Sequence, residues 1–172
     1  MPDFAIDPDF SVYQLVKRLY NGPMELRSRR LMTHISYTIE DMIRVDRQRN
    51  RLFSGFQRFS NFLGQERRYR QIAAYAESVY VFGVNDVSLP PIPRVTYVPL
   101  SPGDRLSQEW FVLSAGPGFG SALCAVETTR ITDPDHLRAF NGLWTFDADM
   151  VDILQEWLSS AVGAPPLALP AR

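Results

Sequence analysis

The sequence predicts a single α/β domain, a mixed sheet of about five strands with helices on both faces. Three observations carry that prediction. The 172-residue chain suffices for one buried core and is short for two, with 45% hydrophobic and 22% charged residues. Short runs rich in β-branched and aromatic residues, such as Leu52-Phe-Ser-Gly-Phe56 and Val79-Tyr-Val-Phe-Gly83, alternate with stretches of helical apolar spacing. Glu109-Trp-Phe-Val-Leu113 and Ser121-Ala-Leu-Cys-Ala-Val126 are apolar at odd and even positions alike, as strands covered on both faces are.

Along the chain, Asp9 is placed to cap a first helix over about residues 10–20, with Val12, Leu15, Val16, Leu19 and Tyr20 on its apolar side. Asn21-Gly22-Pro23 ends it. A longer helix is expected from about Pro23 to Arg47, with Leu31, Ile35, Ile39, Met42 and Ile43 as one stripe. Arg51 to Phe56 reads as a strand, residues 59–77 as a helix, and Ser78 to Gly83 as a strand; strand, helix, strand is the pattern of a parallel crossover. Leu89-Pro-Pro-Ile-Pro93 is a stiff connector into a strand from Arg94 to Leu100, and Ser101-Pro-Gly-Asp104 is a turn. Only six residues lie between Ser114, just after the Glu109 run, and Ser121, the spacing of an antiparallel hairpin. Asp133 with Pro134 suits the start of a short helix ending near Asn141-Gly142, and Asp147 suits the cap of a last helix over 148–161, with Met150, Leu154, Trp157, Leu158 and Ala161 on one side. Residues 1–163 form the expected domain, and the Pro-rich tail 164–172 is expected to be mobile.

Charge is uneven although the net is only −1. Residues 17–70 hold thirteen basic and five acidic side chains, residues 71–172 five and eleven, and residues 1–16 add Asp3, Asp7 and Asp9. A basic part beside an acidic one fits a nucleic-acid surface, or two parts that attract each other within the fold or across a homodimer. No apolar run approaches a membrane span, and the N-terminus has no apolar leader region, so the chain is expected to be cytoplasmic.

The glycines of Gly116-x-Gly118-x-Gly120 raise the question of a phosphate loop. That chemistry needs a turn from strand into helix, whereas here a strand follows, and Lys17 is the only lysine. Turn chemistry is the better reading. His34, His136 and Cys124 are far apart and lack metal-ligand spacing, so no metal site and no cofactor motif is expected. Cys124 lies inside an apolar strand, as a packed thiol does. Glu127 ends the strand face of Leu123 and Ala125, which makes it either a salt-bridged strand end or a pocket acid that orients a ligand. Trp110 and Trp144 flank turns and are the aromatic pocket candidates.

Ser28-Arg-Arg-Leu, Ile35-Ser-Tyr-Thr-Ile-Glu-Asp41, Leu52-Phe-Ser-Gly-Phe-Gln57, Arg67-Arg-Tyr69, Val79-Tyr-Val-Phe-Gly83, Glu109-Trp-Phe-Val112, Ala122-Leu-Cys-Ala-Val-Glu127 and Phe140-Asn-Gly-Leu-Trp-Thr-Phe-Asp147 stand in an order that resembles the DICT sensory domain. That family is named for its occurrence with diguanylate cyclases and two-component systems. The resemblance spans about residues 10–160 and implies a non-catalytic bacterial signalling input module, tied to light, cyclic-di-GMP or phosphorelay pathways, that binds a small molecule or a protein partner. Family-like positions that would serve a site are Gln57, Tyr69, Trp110, Glu127, Trp144 and Asp147. Family members are commonly joined to an output domain, for which residues 164–172 leave no room, so the chain is expected to act through a partner or to be part of a longer protein. Two rival functions remain at this point: a nucleic-acid-associated regulator using the 17–70 arginines, and a small hydrolase or transferase using Glu127.

Overall fold

The computed structural model describes residues 4–20, 22–24 and 28–167. Six strands form one sheet in the order β3-β2-β1-β4-β5-β6, where β1 is Arg51–Arg58, β2 Ser78–Val84, β3 Val95–Leu100, β4 Glu109–Ala115, β5 Ser121–Glu127 and β6 Phe140–Thr145. The pairs β3–β2 and β2–β1 are parallel, and β1–β4, β4–β5 and β5–β6 antiparallel. Helices cover both faces, as expected, and the strand beyond the expected five is β6.

One face packs against α1 (Val12–Leu19) and α4 (Ala148–Ala161), with Phe53, Phe82, Phe111 and Leu113 meeting Val16, Leu154 and Leu158. The other packs against α2 (Arg29–Arg44) and α3 (Glu66–Ala73), with Leu52, Val79, Val112 and Leu123 meeting Ile35, Ile39 and Ile72. Strands apolar on both sides therefore form the middle layer of three.

Several elements differ from expectation for identifiable reasons. Ser11, not Asp9, caps α1 by accepting from the Gln14 amide at 3.0 Å, while the Asp9 amide donates back to Asp7. Asn21 lies outside the described residues, as do residues 25–27 of the expected second helix, and α2 begins after Ser28, whose hydroxyl accepts from Leu31 N. Its buried stripe is Met32, Ile35, Ser36, Ile39, Glu40 and Ile43, so Leu31 points outward and two polar residues point in. The expected 59–77 helix is shorter: two tight 3-10 turns, the second holding the poor helix former Gly64, precede α3. Between Asp133 and Gly142 only a 3-10 turn forms, and Gly142 lies inside strand β6 opposite Ala125, where an added Cβ would come within 2.6 Å of the Ala125 Cβ. A glycine that looked like a helix stop is there because the strands need its narrow profile. Asp147 caps α4 as expected, but Trp157 is exposed and Val151 and Gln155 take the inner positions.

The glycine-rich segment is the turn of the β4–β5 hairpin. Asn50, fully buried, holds it: its Nδ2 donates to Ser114 Oγ (3.0 Å) and Phe119 O (3.1 Å), and its Oδ1 accepts from Gly118 N (2.9 Å). At the start of β1, Arg51 is also buried; its Nε and Nη2 grip Glu77, and its Nη1 donates to Ser159 Oγ and to Pro165 O. Of the Pro-rich tail, Ala164 and Leu167 pack against the α1/α4 core, and residues 168–172 lie outside the described residues.

Candidate functional site

The site begins with a break in β1. Pairing with β2 slips between Gly55 and Arg58, and Gln57 takes a left-handed φ of 64°, a conformation that costs a non-glycine residue about 1–2 kcal/mol. The bulge turns the Gln57 side chain toward the end of β5. There its Nε2 donates to Glu127 Oε1 (3.0 Å) and its Oε1 accepts from Arg138 Nη2 (2.7 Å). Arg138 also clasps Glu127 directly, Nη2 to Oε1 at 2.8 Å and Nε to Oε2 at 2.9 Å, and Thr129 Oγ1 donates to Oε2 at 2.8 Å. Burial raises the Glu127 pKa, but the bonds from Arg138, Gln57 and Thr129 outweigh it and hold the carboxyl below the usual range. Glu127 is thus a buried anion with both oxygens engaged.

Next to this network, between α2 and the sheet, lies a cavity of about 240 Å³. One helical face of α2 supplies Arg29, Thr33, Ser36, Tyr37 and Glu40, the sheet supplies Ser54, Trp110 and Val112, and Gln57 and Arg138 close one end. Trp110 Nε1 donates to Ser36 Oγ at 3.0 Å, a direct tie between β4 and α2. Tyr69, buried on α3, donates to Ser54 Oγ at 2.7 Å, and its pKa is raised well above the ordinary value by burial and by neighbouring Glu40. Burial likewise raises Glu40, against the pull of Arg68, whose Nε donates to it at 3.1 Å. Arg68 also reaches Asp41 at 2.7 Å and stands over the Tyr37 ring, locking α2 to α3.

Among the six residues singled out from sequence, Gln57, Tyr69 and Trp110 line this cavity, and Glu127 stands behind it, holding two lining residues. Trp144 and Asp147 lie elsewhere. Trp144 pairs with Leu123 nearer the hairpin turn, donates to Ser121 Oγ and packs on Phe146, and Asp147 accepts from Met150 N as the α4 cap. Sequence reasoning missed Arg138, Ser36 and Glu40. Ser36 and Glu40 did leave a trace, two polar residues four apart within the spacing of the α2 stripe. Arg138 left none, because only the fold brings it beside Gln57 and Glu127.

Three arginines of residues 17–70 are matched by acids: the buried Arg51 grips Glu77, Arg68 pairs with Glu40 and Asp41, and Arg29 bridges to Asp135 at 2.9 Å, so for Arg51 and Arg29 the acid comes from the later half. No helix among the described residues is long and apolar enough to cross a membrane.

Comparison with protein families matches residues 9–128 of the 172 to DICT, described as a sensory domain in diguanylate cyclases and two-component systems. The match takes in α1 to β5 and ends one residue past Glu127. Comparison with curated proteins and with solved structures gives no match.

Proposed function

We propose that this chain, which belongs to the DICT sensory-domain family, is a non-catalytic cytoplasmic input module that takes a small molecule into the cavity beneath α2 and passes the event to a protein partner. The observation that carries the reading is the cavity's construction: one wall is a single helix, joined to the sheet across the cavity by the Ser36–Trp110 hydrogen bond. A ligand that favours one packing of α2 over another shifts the population between them by the difference in its affinity for the two, and by nothing else. The buried carboxylates support a binding role rather than acid–base catalysis, since Glu127 is held by Arg138 and Glu40 by Arg68.

Native mass spectrometry of the gently purified chain, followed by hydrogen exchange over residues 29–44 before and after stripping, tests this. The expected result is a retained small molecule whose removal speeds exchange in α2. A chain that carries no adduct and whose α2 exchange is unchanged by small-molecule extracts of the host would overturn it.

A further inference from the structure

The cavity shares Arg29, Thr33, Tyr37 and Arg138 with a wider groove of about 830 Å³ at the start of α2. Arg30 and Asp135 also line that groove. Arg138 is balanced by Glu127, so among the described residues lining the groove, which also include His34 and His136, Arg29 and Arg30 face one acid, Asp135, an excess of one arginine. The N-terminus of the 16-residue α2 adds its positive end, and its first turn contains no acidic residue. Two guanidiniums have capacity to spare. The Nε of Arg29 is buried with no hydrogen-bond partner among the described residues, and Arg138, whose side chain is 5% exposed, has its Nη1 at 3.9 Å from Asp135, beyond hydrogen-bond reach. Asp135 itself is 70% exposed, so its bond to Arg29 is a surface ion pair that a better-placed anion can displace.

At the far end the polarity reverses. Glu40, which Arg68 holds, lies eleven residues along α2 from Arg29, about 16 Å at helical rise, and Trp110, Phe56 and Val112 line the same cavity. We infer that the cavity's ligand is a small monoanionic carboxylic acid with a planar apolar body, its carboxylate held at the mouth by Arg29 and Arg138 and its ring lying against Trp110. The inference rests on the reading that this cavity takes a ligand. A single negative charge matches the excess of Arg29 and Arg30 over Asp135, whereas a dianion would bring a second charge with no unmatched arginine of the groove to meet it. Arginine forks suit a carboxylate because two parallel N–H donors meet its two oxygens.

Benzoate and its neutral isostere benzamide are the probes, titrated into the full chain and followed by amide and side-chain NMR shifts and by calorimetry. Benzoate is expected to bind at least ten-fold more tightly than benzamide, moving the Arg29 Nε–H and Trp110 indole resonances. Arg29→Met, at a half-exposed position that should leave folding intact, is expected to lower benzoate affinity to the benzamide level and leave benzamide binding unchanged. Benzamide binding as well as benzoate would overturn the anionic head while leaving the cavity reading standing, and so would a neutral or cationic molecule recovered by native mass spectrometry. Failure of both probes to shift any cavity resonance would also overturn the inference, whereas the cavity reading itself falls only on the adduct and exchange results.

Discussion

Two buried carboxylates sit at the same end of the β4–β5 hairpin, on opposite faces, and are handled in opposite ways. Glu127 faces α2 and α3 and is met by a guanidinium, an amide and a hydroxyl. Glu109, paired with Val126 across the ladder, faces α1 and meets only neutral donors, the Ser11 hydroxyl at 2.6 Å and the Tyr13 amide at 2.7 Å. Burial therefore wins at Glu109 and pushes its pKa up to about 7, while the hydrogen bonds win at Glu127 and bring it down. Beside Glu109 the apolar layer of α1 and α4 has Cys124 and Phe111 in its core, with the thiol's pKa raised by burial. The face that holds Glu127 carries the cavity. One carboxylate fixes the start of a helix against an apolar layer, and the other fixes polar side chains around a space.

The largest effect that would sharpen this contrast comes from removing the cation. Arg138→Met leaves Glu127 buried with no countercharge and is expected to cost about 3–5 kcal/mol, read by urea unfolding at pH 7. The double variant Glu127→Leu with Arg138→Met should recover much of that loss, because no charge is then left unpaired. A single-variant cost below about 1 kcal/mol would mean that the network does not hold the charge as its geometry suggests.

On the other face the prediction runs through pH. A carboxyl that titrates near 7 when folded and near 4.5 when unfolded binds its proton more tightly in the native state, so stability falls as pH rises between those values. For Glu109 the fall is about 3 kcal/mol, complete just above pH 7 and absent below about pH 4. Glu40 is raised too and contributes in the same direction, while Glu77 and Glu127 are lowered and lose their contribution only at more acid pH. Glu109→Gln should therefore flatten, not abolish, the decline in unfolding free energy from pH 4.5 to 7. Arg105 is the cation whose field reaches Glu109, and an unchanged slope in the variant would show that it already keeps the carboxyl ionised.

The same division explains what could be read in the sequence. Strands apolar on both sides announced a three-layer fold, and the hairpin was legible from two runs and the short turn between them. Strand β6 was not, because Gly142 carries the same letter whether it stops a helix or lets two strands close on Ala125. Trp110 and Glu127 could be picked out because each is polar or amphipathic within an apolar strand. Arg138 could not, since its meaning depends on Gln57, 81 positions away in sequence. A local pattern records which face is apolar; it does not record which distant donors converge there.

The finest test compares two left-handed residues, one in the network and one outside it. Gln57, at φ 64°, holds Glu127 and Arg138, whereas Arg94, at φ 66°, is exposed on the approach to β3 and contributes its backbone carbonyl, which accepts from Val79 N. Glycine relieves the left-handed strain by about 1–2 kcal/mol at either position and returns part of that as unfolded-chain entropy. At Gln57 the change also removes two buried hydrogen bonds to charged groups, about 1.5–3 kcal/mol each, so against a net backbone gain of about 0.5 kcal/mol Gln57→Gly should destabilise by about 2.5–5.5 kcal/mol. Arg94→Gly loses no side-chain bond and should stabilise by about 0.5 kcal/mol. If Gln57→Gly were stabilising as well, the bulge would be ordinary strain relieved by any small residue. A loss at Gln57 beside a gain at Arg94 would mean that the strain is kept because it aims a side chain at the carboxylate behind the cavity.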